Sequence, residues 1–289
     1  PEAAAPPLQA FVTTHHSFQR VPFTHQTAYY RGENQRTAVL VLIELDPRQL
    51  TGNTNGDRLE FEVELFVAAD QRSNHEPRTI IDELHSFSLL SREVESGAAG
   101  TYIYDLVMAL EPGRADLKLV ILDRVSHAVG GSGVELTVPS FSDAGPVTST
   151  PLLIKGILEH VTDTCGPLCA GGRRLIPAVN GRLGTGDHYL YIVLYNLDAA
   201  AGESMRLLAQ LDHANGVQTI GFTRLSAPLQ AARAIILPLA PVLRETAPGY
   251  VTVRLLSGDQ PAAASSTLRF TAPTGNNSEP GRTIASIDE

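Results

Sequence analysis

Nine histidines, two cysteines and a few acidic and glycine-rich runs are where chemistry could reside in this chain. The histidines are His15, His16, His25, His75, His85, His127, His160, His188 and His213. A helical metal site would place two imidazoles four residues apart on one face, and no such pair exists. His15, His16 and His25 could meet across a hairpin, but adjacent strand residues point to opposite faces. The cysteines, Cys165 and Cys169, flank Gly166, Pro167 and Leu168. Two thiols alone do not close a structural zinc site, and no C-x-x-C pair is present. A small disulfide-closed loop is expected, which implies an oxidising compartment, with two free thiols as the alternative.

The remaining constellations read as scaffolding. Asn53, Asn55 and Asp57 with Gly56 have the alternating oxygens of a calcium loop, but Glu60 and Glu62 follow too early to serve as the bidentate acid. A polar hairpin tip is expected there. The row Glu60, Glu62 and Glu64 suggests paired carboxylates, yet same-face residues of an exposed strand more simply form a solvated face. Gly130-Gly131-Ser132-Gly133 lacks the second spaced glycine of a nucleophile elbow and reads as a turn before a strand. Neither Lys118 nor Lys155 lies in a phosphate loop. Gly181, Gly184 and Gly186 do not form a dinucleotide fingerprint. The expectation is no catalytic residue, no cofactor and no metal.

Bulk properties narrow the class further. The 289 residues suffice for two domains of ordinary size, and the formal net charge of −9 argues against a nucleic-acid partner. Of 22 basic residues only Lys118 and Lys155 are lysine, leaving 22 − 2 = 20 arginines, a bias that a GC-rich genome explains. No apolar run approaches the roughly 20 residues of a membrane span, so no membrane insertion is expected. The chain opens on Pro1 without a signal sequence, as expected of a processed or trimmed product of a longer precursor.

Period-two alternation is the dominant pattern. Leu59, Phe61, Val63 and Leu65 alternate with Glu60, Glu62 and Glu64, as a strand with one wet face does. Leu117 to Ile121, Val134 to Val138, Val251 to Leu255 and Leu268 to Phe270 alternate likewise. Asn55-Gly56, Pro112-Gly113, Asn180-Gly181, Asn215-Gly216 and Pro248-Gly249 punctuate the runs as turns. Ile80, Ile81, Leu84 and Phe87 have helical spacing, but Ile81, His85, Phe87 and Leu89 suit a strand, which is the expectation. A helical turn within Leu229 to Ala234 is tightly bounded by Pro228 and Pro238. Tyr102 with Tyr104, and Tyr189 with Tyr191 and Tyr195, share strand faces and are expected to pack in the core. Without tryptophan they make no sugar platform.

The two halves echo each other. A strand ending at Leu45-Asp46, then Leu59 to Val67, Tyr102 to Leu110, a strand to Asp123 and a last strand to Pro139 find counterparts. These are a strand ending at Leu197-Asp198, Met205 to Leu211, Ile235 to Leu239, a strand to Leu256 and one near Pro273. The predicted fold is all-β: two tandem immunoglobulin-like antiparallel β-sandwich domains. The N-terminal extension is 1–18, the first domain 19–142, the linker 143–150, the second domain 151–273 and the C-terminal tail 274–289.

Several of these stretches carry a resemblance. Val21-Pro22, Tyr29-Tyr30-Arg31-Gly32, the Ala38 to Leu45 strand, Tyr104-Asp105-Leu106 and Leu110-Glu111-Pro112-Gly113 resemble the C-terminal region of acidobacterial-type VWFA-related proteins. So do Leu117 to Asp123, Gly131-Ser132-Gly133 and Val138-Pro139-Ser140-Phe141. Ile176-Pro177, Leu190-Tyr191 and Leu194-Tyr195-Asn196-Leu197 resemble the sandwich region of GWxTD-domain proteins. The chain has neither the von Willebrand A domain nor a GWxTD motif, so no metal-ion-dependent adhesion site is carried over. The resemblance implies a bacterial envelope or secreted location and an accessory role in protein contacts.

The functional expectation is a non-catalytic structural or protein-interaction protein that is extracellular, periplasmic or at the cell surface. It takes a protein partner or self-associates and takes no small-molecule ligand. The alternative is a self-assembling filament or sheath subunit, in which Phe11, Val12, Thr13 and Thr14 of the N-terminal extension add a strand to a neighbour. A hydrolase with an inter-domain site is the third reading.

Overall fold

The computed structural model describes residues 18–71, 79–142, 145–159, 166–181, 188–197, 205–213, 216–225, 232–239, 249–257, 260–261, 263 and 266–270. The chain enters through β1 (Phe18–Gln19), β2 (Phe23–Arg31), β3 (Thr37–Leu45), β4 (Asn53–Asn55), β5 (Arg58–Gln71) and β6 (Thr79–Leu90). A five-residue helix, α1 (Ser91–Glu95), leads to β7 (Tyr102–Leu110), β8 (Gly113–Asp123) and β9 (Val129–Val138). Then come β10 (Val147–Thr148), β11 (Leu152–Leu158), β12 (Cys169–Ala170), β13 (Arg173–Pro177), β14 (Tyr189–Tyr195) and β15 (Met205–His213). The last described strands are β16 (Gly216–Leu225), β17 (Ala232–Pro238), β18 (Gly249–Ser257), β19 (Gln260–Pro261) and β20 (Ser266–Phe270).

These strands form an all-β sandwich fold of four sheets among the described residues. One runs β1-β9-β8-β5, with β4 and β6 also on β5, and a second runs β2-β3-β7. The third runs β10-β14-β11-β13-β12 with β17 on β14, and the fourth runs β16-β15-β18 with β19 and β20 on β18. One strand order therefore occurs twice in the chain. The orders β9-β8-β5-β6 and β2-β3-β7 recur as β20-β18-β15-β16 and β11-β14-β17. The echo between the sequence halves falls on equivalent strands of this order.

Among the described residues, 18–25 and 42–139 group as one compact unit, and 26–41 with 140–270 as another. Alternation builds both interiors. In the first, Phe61, Val63, Leu65 and Val67 on β5 and Leu117, Leu119 and Ile121 on β8 are all buried. Beyond Leu65 the intervening residues are buried as well: Phe66, Ala68, Val120 and Leu122 form a smaller apolar cluster, with Val129 packed against it. In the second unit, Leu190, Ile192 and Leu194 of β14 join Leu207, Ala209 and Leu211 of β15 in one core. Leu237 of β17 and Val251, Val253 and Leu255 of β18 belong to the same core. Burying such alternate faces contributes on the order of 25 cal/mol per Å² of apolar surface.

Turns follow the expected glycines in places. Asn55 and Arg58 pair across a two-residue connection that begins with Gly56 at a φ of 64°, a backbone angle that costs glycine little. The run Gly130-Gly131-Ser132-Gly133, expected as a turn, instead lies inside β9. The reason is close backbone approach, because a Cβ on Gly130 would overlap the carbonyl oxygen of Val21. The helical turn considered up to Ala234 is not formed over 232–234, which belong to β17, while 229–231 lie outside the described residues. Ile80 to Phe87 form a strand, as their alternate spacing indicated. Among the described residues, no helix is long and apolar enough to cross a membrane.

Candidate interaction surface

The most distinctive surface of the first unit is the edge made by β6. Its twelve residues pair antiparallel with β5 along their whole length, from Arg58↔Leu90 to Ala69↔Thr79. The other edge of β5 is taken by β4 and then β8, and β6 is terminal in its sheet among the described residues. Among the described residues, no strand pairs with its outer edge. Such an edge presents a row of backbone N–H and C=O groups able to receive another strand.

The inner face of β6 is fixed by an aromatic ladder. Phe61 and Phe87 pair across β5 and β6 with ring centroids 5.0 Å apart, and Phe87 stacks on Tyr102 of β7 at 4.0 Å. Tyr102 lies 5.6 Å from Tyr104, which meets His85 at 4.5 Å. Offset and tilted pairs of this kind add stability beyond their buried area. Burial pushes the phenols of Tyr102 and Tyr104 above the ordinary tyrosine range, with Tyr102 adding to the effect on Tyr104. The hydroxyl of Tyr104 is buried without a hydrogen-bond partner among the described residues. His85 Nε2 lies 3.2 Å from the Glu83 carboxylate, without the alignment of a hydrogen bond.

The outer face is of mixed character. Ile80 and Leu84 are 47% and 59% exposed, large apolar side chains left in water on an edge strand. Beside them on β5 runs the acidic row, with Glu62 opposite Ser86 and Glu64 opposite Leu84. Asn55 Nδ2 donates to Glu60 Oε1 at 2.6 Å, and Arg124 Nη1 donates to Glu64 Oε2 at 2.8 Å. Glu60 and Glu62 are exposed, as the expected solvated face requires, whereas the Glu64 side chain is only 20% exposed. Asn53, Asn55 and Asp57 belong to the β4–β5 hairpin, and Asp57 O accepts from Ser91 N at 2.8 Å.

Other polar clusters secure the framework. Asp123, 1% exposed, accepts from Thr51 N at 2.8 Å, Val125 N at 3.0 Å, Ser126 N at 3.3 Å and Ser126 Oγ at 2.7 Å. Buried Glu44 accepts from Thr24 Oγ1 and Thr101 Oγ1 at 3.2 and 2.7 Å. In the second unit, Arg31 lies 4.7 Å from the centre of the Tyr195 ring and donates to Asn196 Oδ1 at 2.7 Å. Tyr191 and Tyr195 are buried, as is Tyr104 in the first unit, as expected of core packing, whereas Tyr102 and Tyr189 are only half-buried. Lys155, Glu159, Arg173 and Tyr189 border a depression of about 500 Å³, where Arg173 Nε donates to Glu159 Oε2 at 2.9 Å.

The histidines are dispersed. His25 is on β2, with its pKa lowered by burial, His85 is on β6, and His127 follows β8 at a φ of 57°. Buried His188 precedes β14 and His213 ends β15. His15, His16, His75 and His160 lie outside the described residues. Among the described residues, no three of His, Cys, Asp and Glu gather as a metal site would require. Cys169 opens β12, and Cys165 lies outside the described residues, as do Phe11, Val12, Thr13 and Thr14.

The sequence pattern marks β6 as a strand but not as a sheet terminus. The two exposed aliphatics four residues apart, Ile80 and Leu84, were the available signal. Their meaning depends on which strands flank β5. Neither a family model nor a curated protein matches this chain.

Proposed function

We propose that this chain is a non-catalytic structural and protein-interaction module, built from two immunoglobulin-like units, in a secreted or cell-envelope protein of bacterial type. The observation that carries the reading is β6, a twelve-residue terminal strand with Ile80 and Leu84 exposed on one face. Strand addition draws affinity from main-chain hydrogen bonds and specificity from alternate side chains, and β6 offers both. The location rests on the resemblance to VWFA-related and GWxTD-domain proteins and on the close spacing of Cys165 and Cys169.

The test uses native gels of the secreted and envelope fractions from cells expressing the full chain. Wild type migrates in a complex larger than the chain itself. The Ile80→Lys/Leu84→Lys double variant migrates alone while keeping its melting temperature. Wild type and variant both running as single chains would reject the reading.

A further inference from the structure

Which partner fits β6 is constrained by its own sequence, Thr-Ile-Ile-Asp-Glu-Leu-His-Ser-Phe-Ser-Leu-Leu over 79–90. We propose that the open edge of β6 pairs with β6 of a second copy of this chain, antiparallel about a two-fold axis through Leu84. The proposal rests on the reading of β6 as an interaction edge and adds to it the partner and the register.

A two-fold axis normal to the sheet keeps each side chain on its own face, so residues of like parity must meet. Centring on Leu84 sets Glu83 opposite the partner's His85 and His85 opposite the partner's Glu83. The carboxylate and the imidazole already lie 3.2 Å apart within one strand, so both groups project from the same face. Glu83 is 47% exposed, whereas His85 is 22% exposed with its Nε2 buried, so it is the carboxylate that is open to a neighbour. In the same register Ile81 meets the partner's Phe87, Asp82 meets the partner's Ser86, and the exposed Leu84 side chains cover each other. Sliding by one step of like parity in one direction puts Glu83 against the partner's Glu83. Sliding in the other direction puts Glu83 against the partner's Phe87. Like charges directly opposite are unfavourable across paired strands, whereas a carboxylate opposite an imidazole has a possible N–H donor. Of these three registers, only the one centred on Leu84 satisfies both the acid–imidazole and the apolar pairs.

The geometry supplies its own ruler. Opposed residues of antiparallel strands have Cα atoms about 4.5–5.5 Å apart, within the range of about 4.4–6.8 Å that a disulfide spans. Leu84→Cys therefore places two thiols within bonding distance across the axis. Ile80→Cys places its two thiols eight residues apart along the pair, about 27 Å.

The experiment uses the purified full chain. Wild type should elute as a dimer by light scattering at high concentration. On mild oxidation Leu84→Cys should form a covalent dimer, while Ile80→Cys and wild type form none. Leu84→Asp, at a position 59% exposed, should keep its melting temperature and elute as a monomer. Overturning results are monomeric wild type at its highest soluble concentration, equal cross-linking at 80 and 84, or dimeric Leu84→Asp. If purified wild type is monomeric while the native-gel complex still depends on Ile80 and Leu84, the homodimer falls and the interaction-edge reading stands.

Discussion

Tyr104 and His85 face each other with ring centroids 4.5 Å apart and an interplanar angle of 49°, and the phenol hydroxyl has no hydrogen-bond partner among the described residues. The ring packs on its neighbours while its oxygen is buried. Tyr104→Phe should leave stability unchanged or raise it by up to about 1 kcal/mol, since a buried unsatisfied hydroxyl is a cost. Urea midpoints check this, and a clear loss of stability would mean that the hydroxyl is bonded.

Alkali should destabilise the fold through its tyrosines. Burial, with Tyr195 adding to it, pushes Tyr191 up to about 12, and Tyr104 is raised as well. A raised folded-state pKa makes a contribution that is fully present below the unfolded value near 10. That contribution is lost as pH climbs from there through the folded value. The decline approaches about 1.4 kcal/mol per pH unit for each such phenol, and Tyr104→Phe should make it shallower. Unfolding midpoints measured at stepwise higher pH, with a flat profile above pH 10 as the contrary result, decide it.

Gly130 has no room for a methyl group against Val21, whose carbonyl oxygen a Cβ would overlap. Gly130→Ala should cost about 1–3 kcal/mol through forced backbone shift. Gly133, whose Cβ would meet nothing nearer than Leu117 O at 3.9 Å, should tolerate alanine far better. Thermal melts of the two variants compare them directly, and equal melting temperatures would remove the steric argument.

Asp123 collects hydrogen bonds from three backbone amides and one hydroxyl around the turn that follows β8. Asp123→Ala leaves those donors without their acceptor and should cost about 3 kcal/mol. Asp123→Asn, which keeps one carbonyl oxygen, should cost less. Chemical denaturation of both variants tests the order, and a neutral Asp123→Ala would contradict it.

Cys165 and Cys169 are proposed to be joined. The intact mass of the purified, unreduced chain should lie two hydrogen masses below that of the reduced chain. Equal masses would remove this argument for an oxidising compartment.

Much of this fold is legible from alternation, because a half-buried strand writes its own period. Leu59 to Leu65, Leu117 to Ile121 and Val251 to Leu255 fall within β5, β8 and β18. Legibility fails where the cause is distant in sequence. Gly130 to Gly133 look like a turn by composition, and at Gly130 it is the nearby backbone of Val21, distant in sequence, that makes glycine a strand residue. The end position of β6 depends on β8 taking the far side of β5, a pairing between 63–71 and 115–123 that no local pattern records. The acid–imidazole pairing proposed at that edge is likewise hidden, because Glu83 and His85 of two copies face each other only once a register is specified.

The small cluster of Phe66, Ala68, Val120 and Leu122 gives β5 and β8 apolar cover on both faces over 65–69 and 119–122. Water thus reaches that ladder from neither side. Its amides should be the last to exchange with deuterium, opening only when the whole unit comes apart. Because β6 pairs with β5 along that same stretch, the edge strand is anchored on the part of the unit expected to open last.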